Sequence, residues 1–431
     1  MDAVARLAGG TTVERVFRGE SGRALATVAR LVGDLSVAED AVQEAFEVAL
    51  RVWPDRGIPP APGAWVTTVA RNRAIDRLRR ERRRSDRELA AVRQDRALED
   101  GEDPVPGAVG EWPTAAEVLP VPDDQLRLIF TCCHPALAAP ARVALTLRLV
   151  CGLRTEEIAR VFLEPVSTVA QRLSRAKAKI RDAHIPLRVP PAHLLPERLP
   201  AVLACIYLVF AEGYAATRGD TLVRRELCDE AIRLAGLLDE LMPGDPEVEG
   251  LRALLLLQDS RRTTRETPEG DLVLLEDQDR AAWDVERIAE GLRHLRRAVA
   301  RRRPGQYQLE AAIAAEHARA ATWEATDWPK IAALYGELTR VVSSPVVELN
   351  RAVAVGYAEG PQAGLRVLAA VADDPRLARS HRLSAVQADL LHRAGRDAEA
   401  AKAYRTALEK VRTEPERRLL ERRLRAVDPD A

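Results

Sequence analysis

Apolar side chains in this chain recur at intervals of three and four residues almost from end to end, and runs that alternate apolar with polar residues are nearly absent. That spacing draws one apolar stripe along a helix, whereas a half-buried strand needs a period of two. The chain is therefore expected to be all-α. Its 431 residues exceed what one core usually organises, and about two or three domains are expected.

Composition marks where those domains divide. A first helical block covers residues 1–91. It is followed by GEDPVPGAVGEWPTAAEVLPVP, whose Gly, Pro and carboxylates predict a flexible acidic linker over residues 92–122. A second block spans residues 123–185, and the proline-rich IPLRVPPAHLLPERLP separates it from a third region, 186–431. Within the third region, VELNRAVAVGYAEGPQAGLRVLAAV and VQADLLHRAGRDAEAAKAYRTALEKV look alike, with Gly360 matching Gly395 and Ala363 matching Ala398. The offset is close to that of a tetratricopeptide (TPR) repeat, in which small residues let two helices pack closely. A TPR-like helical domain is expected there; a non-repetitive helical bundle would share many of these features.

TEEIARVF and VSTVAQRLSRAKAKIR are separated only by Leu-Glu-Pro, so two short helices joined this tightly predict a helix-turn-helix. On the second helix Val169, Leu173, Ala176 and Ile180 share one stripe, and Gln171, Arg172, Arg175, Lys177, Lys179 and Arg181 occupy the rest. A polar N-terminal end with a basic body suits reading of the DNA major groove, since Gln, Ser, Thr and Arg bond base edges while later cations neutralise phosphates. An ordinary amphipathic surface helix carries the same pattern.

Two further helices precede the linker. Ser36-Val37-Ala38-Glu39 has the form of a capping box, so a helix is expected from there to about Trp53. Val42, Ala45, Phe46, Ala49 and Trp53 form its apolar stripe, and Asp40, Gln43, Glu44, Glu47 and Arg51 its open face. That acidic face suits a basic partner or plain solvation. After the loop PDRGIPPAPG, AWVTTVARNRAIDRLRRERRR is expected to turn Trp65, Val69, Ile75 and Leu78 inward. Arg71, Asn72, Arg73, Arg77, Arg79 and Arg80 then form a cation strip able to bind phosphate, with the Asn72 amide suited to a base edge.

Charge and cysteine usage exclude several classes. Lys and Arg together number 65, as do Asp and Glu, so a globally basic coat is excluded and only local fields can carry DNA binding. No apolar run approaches the roughly 18 residues of a spanning helix, so no membrane partner and a cytoplasmic location are expected. Cys132, Cys133, Cys151, Cys205 and Cys228 show no framework spacing. Cys132-Cys133-His134 lacks a C-x-x-C partner and reads as buried thiols rather than a metal site. No catalytic set, cofactor or metal is expected: the histidines are scattered, and Glu212 and the Asp277/Asp279 pair are explained by caps and salt links.

Two motifs in series give a more specific reading. AEDAVQEAFEVALRVW followed by AWVTTVARNRAIDRLRR resembles region two, and TEEIARVFLEPVSTVAQRLSRAKAKIR resembles region four, of the extracytoplasmic-function sigma factors of bacterial RNA polymerase. The likeness covers about the first 185 residues. Farther on, LVFAEGY, LVLLEDQDR, TDWPKIAALYGEL and SPVVELNRAVAV resemble the group of these factors that carries a large TPR-like C-terminal extension.

The resemblance implies a non-enzymatic promoter-specificity subunit. Its partners would be core RNA polymerase, through the β′ clamp and β flap, and promoter DNA. Asp40, Gln43, Glu44 and Glu47 would dock polymerase. Arg71, Asn72, Arg73, Asp76, Arg77 and Arg80 would serve the minus-10 element, with the loop Pro54 to Gly63 holding a flipped base. Ser167, Thr168, Gln171, Arg172, Arg175 and Lys179 would serve the minus-35 element. The common family pattern carries Lys and Ser where this chain has Ala170 and Gln171, so the minus-35 sequence is expected to differ from that of relatives. The extension would modulate activity through a protein partner or an intramolecular contact. A helix-turn-helix regulator acting without polymerase and a TPR scaffold are the competing classes.

Overall fold

A computed structural model of the chain describes residues 2–94, 122–162, 164–214, 225–378, 380–411 and 413–428. Among them every regular element is helical, as the three-and-four spacing predicts, with a single isolated bridge between Glu266 and Leu272. The chain forms two compact units, Met1–Cys205 and Ile206–Ala431. Residues 95–121 of the expected acidic linker lie outside the described residues.

The first unit opens with α1 (Asp2–Val32), α2 (Leu35–Arg56) and α3 (Pro62–Gln94), which pack against one another. Their core joins Val28 and Ala29 of α1, Ala38, Val42, Ala45, Phe46, Ala49 and Trp53 of α2, and Val66, Ala70 and Ala74 of α3. Trp53 meets Trp65 edge to face at 5.4 Å. The expected inward face of α3 is thus rotated: Trp65, Val69, Ile75 and Leu78 are only half-buried, and small residues one position away take the centre. Close approach to two helices at once favours small side chains there.

The start of α2 also differs from expectation. Ser36 is not the cap; Asp34 is, its carboxylate accepting the Ser36 and Val37 amides at 2.7 and 3.0 Å from an extended backbone. Gly33, at φ 74°, ends α1 just before it. At a helix N-terminus the orphan amides and the helix dipole both favour a carboxylate as the cap.

Next come α4 (Pro122–Cys132), α5 (Ala139–Leu145), a π-helical turn (Thr146–Val150), α6 (Thr155–Phe162) and α7 (Val166–Asp182). Leu128, Ile129, Phe130, Leu145, Leu147, Leu149, Leu153 and Ile158 fill this second core, and α7 contributes the expected stripe of Val169, Leu173, Ala176 and Ile180. The two cores meet at the π turn, where a Cβ on Gly22 of α1 would lie 2.0 Å from the Val150 carbonyl oxygen. Thr27 and Arg30 of α1 hold the buried Asp124 at 3.3 and 2.8 Å.

α8 (Leu195–Tyr214) carries the chain into the second unit, which continues with α9 (Arg225–Leu241), α10 (Pro246–Asp259), α11 (Val285–Ala300) and α12 (Gln306–Arg319). α10 is buried nearly all round among α9, α11 and α12, Glu249 and Asp259 included. Then follow α13 (Trp328–Val341), α14 (Pro345–Ala358), α15 (Pro361–Ala369), α16 (His381–Arg393), α17 (Asp397–Lys410) and α18 (Glu414–Val427), each packed on its successor. Gly360 and Gly395 both take positive φ at the turns into α15 and α17, as the repeat predicts. The match of Ala363 with Ala398 does not hold, because Ala363 is buried and Ala398 exposed. Arg396 intervenes before α17 begins, which accounts for one residue of slip, and the buried small pair slips by one more, from Ala363 and Gly364 to Ala400 and Ala401.

Candidate nucleic-acid interface

α2 and α3 bring the acidic face and the cation strip side by side. Arg77 reaches Asp40 at 2.7 Å and Arg73 reaches Glu44 at 3.6 Å, all four side chains being close to half exposed. Exposed pairs of this kind contribute roughly 0–1 kcal/mol each. They can therefore exchange their partners for an incoming cation or phosphate at little cost. Gln43 and Glu47 stand exposed on the same helix as the acids; Asn72, Asp76 and Arg80 stand exposed on α3, and Arg71 is half-buried. The connecting loop is shorter than expected because α2 runs through Pro54 to Arg56, leaving residues 57–61 between the helices. Ile58 projects there with 45 % of its surface exposed.

In the helix-turn-helix, Ser167, Thr168, Gln171, Arg175 and Lys179 are exposed. Arg172 is engaged inside the motif. Its guanidinium binds Glu164 at 2.6 Å and lies over the Phe162 ring at 5.1 Å, which fixes the turn between the two helices. Of the predicted face, five residues thus face outward and one spans the turn.

Sequence reasoning missed a contact that joins the two cores. Glu39 is buried between Arg148 of the π turn, at 2.7 Å, and Lys177 of α7, at 2.8 Å. Burial alone would push its carboxyl up, but the two cations outweigh burial and hold it below the ordinary value of 4.5. The π turn, a local insertion in the helical hydrogen-bond ladder, carries Arg148. Lys177, expected on the free basic face, is instead committed to this contact.

Three of the five thiols group in the core. Cys133 donates to Cys205 at 3.3 Å in the buried core, while Cys132 is buried beside them and its proton is held firmly by burial. The His134 Nδ1 accepts the Ala136 amide. Among the described residues no group of three His, Cys, Asp or Glu side chains is placed to hold a metal ion, and no helix is long and apolar enough to cross a membrane.

A three-helix bundle bearing a cation strip, followed by a helix-turn-helix with an exposed polar and basic face, has the charge and shape to engage nucleic acid. Comparison with known proteins narrows that reading. The model of sigma-70 region 2 matches residues 17–84 and that of sigma-70 region 4 matches residues 127–180, while a family of unknown function, DUF6596, matches residues 198–299. The chain is 31% identical over 195 residues to the RNA polymerase sigma-H factor of Pseudomonas aeruginosa, covering 41% of this chain and 93% of that one. It is 32% identical over 165 residues to the probable ECF RNA polymerase sigma factor SigI of Mycobacterium tuberculosis, covering 38% of this chain and 52% of that one. An uncharacterized protein of Rhizobium meliloti is 44% identical over 386 residues, 90% of this chain and 89% of its own length. The chain belongs to the sigma-70 family of RNA polymerase sigma factors.

Proposed function

We propose that the protein directs promoter-specific initiation by an extracytoplasmic-function mechanism, with its two sigma regions reading separate promoter elements. Asp40, Gln43, Glu44 and Glu47 dock core polymerase at the β′ clamp. Arg71, Asn72, Arg73, Asp76, Arg77 and Arg80, with the 57–61 loop, engage the minus-10 element. Ser167, Thr168, Gln171, Arg175 and Lys179 read the minus-35 element, and Arg172 positions that reading helix. In domain terms, residues 1–91 are the region-two domain, 92–122 the linker, 123–185 the region-four domain and 186–431 a TPR-like extension that modulates activity.

The observation that carries this reading is the seam between α2 and α3, where Asp40 and Glu44 pair with Arg77 and Arg73 at the surface. Weak exposed pairs leave the acids available to a basic polymerase surface and the arginines to phosphate. Opening of DNA then follows from base extraction, which costs a few kcal/mol of stacking and is met by binding contacts rather than by nucleotide hydrolysis.

Run-off transcription with purified core polymerase on the promoter of the protein's own gene, with and without the protein, tests it. A start-site-specific transcript dependent on the protein is expected. Binding of duplex DNA with no such transcript would favour a repressor instead. For the extension, a chain ending after Arg181 is expected to lose full activity; equal transcription under the same control would overturn the modulating role.

A further inference from the structure

The second unit holds a partly open cavity of about 530 Å³ at the meeting of α10, α12, α13, α14, α16 and α18. Small-molecule sites are commonly of about 300–1,000 Å³ and mostly apolar with a few placed polar groups. Leu257, Ile313, Ile331, Val353 and Leu420 supply apolar wall, and Arg261 and Arg423 bring cations to it. These two arginines are in opposite states.

Arg423 is matched, binding Glu276 and reaching Asp389 at 3.5 Å. Elsewhere in the unit Arg252 likewise takes Asp239 and Glu290, and Arg262 takes Asp229 and Asp259. Arg261 takes no carboxylate. It donates to the Gln258 side-chain oxygen and lies 5.7 Å from the centre of the Tyr214 ring. Arg265 shares that ring, covering it at 3.6 Å, and spends a donor on the Tyr214 carbonyl. Arg280 donates to the His317 and Ala320 carbonyls at 2.6 and 2.9 Å. All three are half-buried, and none of them forms an ion pair among the described residues. His317, on the cavity wall, registers the resulting field: burial first, and then Arg261 and Arg280, push its pKa down to about 3. An unbalanced cation beside apolar wall favours an anion at that point.

We propose that this cavity binds a small monocarboxylate with an apolar body, its carboxylate paired with Arg261 and its body laid against the aliphatic wall. A carboxylate matches the planar guanidinium with two parallel N–H···O bonds, and a pair sheltered by apolar wall is stronger than one in open water. The single charge follows from the lining, where Arg261 is the one arginine without an acid among the described residues. A dianion would leave a charge unmatched, and a cation would have to draw Glu276 and Asp389 from Arg423. The apolar body follows from the surface that Leu257, Ile313, Ile331 and Val353 offer, which gains by being covered. The site lies wholly within the second unit, so binding is read without DNA or polymerase and independently of the function proposed above.

The test is calorimetric titration of the full chain at neutral pH with octanoate and 2-naphthoate, their neutral analogues octanol and 2-naphthol, and inorganic phosphate, an anion without an apolar body. At least one of the two carboxylates is expected to bind, one per chain, about tenfold or more tighter than its neutral analogue and than phosphate, with an upward shift in the thermal unfolding of the second unit. Arg261→Gln should weaken that carboxylate by about tenfold or more and leave the neutral analogue unchanged, while Arg261→Lys should keep part of the affinity. Val353→Trp, at a half-buried wall position, should abolish carboxylate binding with Arg261 intact. Arg261→Gln breaks no ion pair and decides the matter if Val353→Trp does not fold. No binding of either carboxylate up to millimolar concentration, equal binding of the neutral analogue or of phosphate, or affinity unchanged in Arg261→Gln or in a folded Val353→Trp would overturn the proposal.

Discussion

Glu39→Gln isolates the contact that joins the two cores of the first unit, because it removes a charge while keeping shape. The Glu39, Arg148 and Lys177 side chains are 10, 16 and 25 % exposed, so solvent screens them little. At an effective dielectric near 20, each contact of this length is worth about 6 kcal/mol before desolvation is counted. Desolvation offsets most of it, and what remains on removing one buried partner is about 2–3 kcal/mol, given that the substituted amide would still offer one carbonyl oxygen. That corresponds to roughly 30- to 150-fold in the equilibrium for parting the two cores. Hydrogen exchange read by mass spectrometry on peptides covering residues 35–49 and 146–153 should accelerate by that factor. The pH dependence has a definite sign. A carboxyl held below its ordinary value contributes stability that is present above about pH 4.5 and lost as the pH falls further, and the Glu39→Gln variant should lack that loss. Lys177→Gln should be strongly non-additive with it. Exchange within about threefold of wild type, or simple additivity of the two substitutions, would refute the coupling.

Other substitutions give separate checks. Arg175→Ala should weaken promoter binding and lower the salt slope by about one without loss of stability, measured by holoenzyme filter binding. Arg172→Ala should in addition destabilise the first unit by about 1–2 kcal/mol in calorimetry, through the lost Glu164 and Phe162 contacts. Gly22→Ala should destabilise it by about 1–3 kcal/mol because its Cβ would strike the Val150 carbonyl. Gly336→Ala, inside α13 with nothing within 4 Å, should instead stabilise the second unit by about 0.5–1 kcal/mol. His317, with a folded pKa pushed down from 6.5 to about 3, stays unprotonated while the unfolded chain gains a proton. Stability of the second unit should be full above pH 6.5 and fall by up to about 1.4 kcal/mol per pH unit below it; His317→Gln should remove that component in denaturant titrations across pH.

What the sequence makes legible follows from the range over which each interaction acts. Helical class and the α7 stripe come from periodicity within two turns, and both stand in the structure. The choice of which α3 residues reach the centre depends on how two other helices close over it, so a moment along one helix misses Val66, Ala70 and Ala74 by about one position. The repeat near Gly360 and Gly395 survives as turn geometry, while the packing register after it slips by two residues, only one of them the intervening Arg396.

Range also separates the exposed faces, legible in the sequence, from the contact between the cores, which is not. Exposed polar side chains announce themselves by helical spacing alone, which is why Ser167, Thr168, Gln171, Arg175 and Lys179 lie on the face that the pattern gives them. Ser36 and Glu39 also satisfy a local rule, that of the capping box, but Asp34 supplies the cap and frees Glu39 to turn inward. Its partners lie 109 and 138 residues away. A glutamate buried beside one cation could be an accident of packing; one held by two, from the π turn and from the proposed reading helix, couples α2 to α7. The polymerase docking proposed for the neighbouring Asp40 and Glu44 would then act on the same helix that holds Lys177 in place.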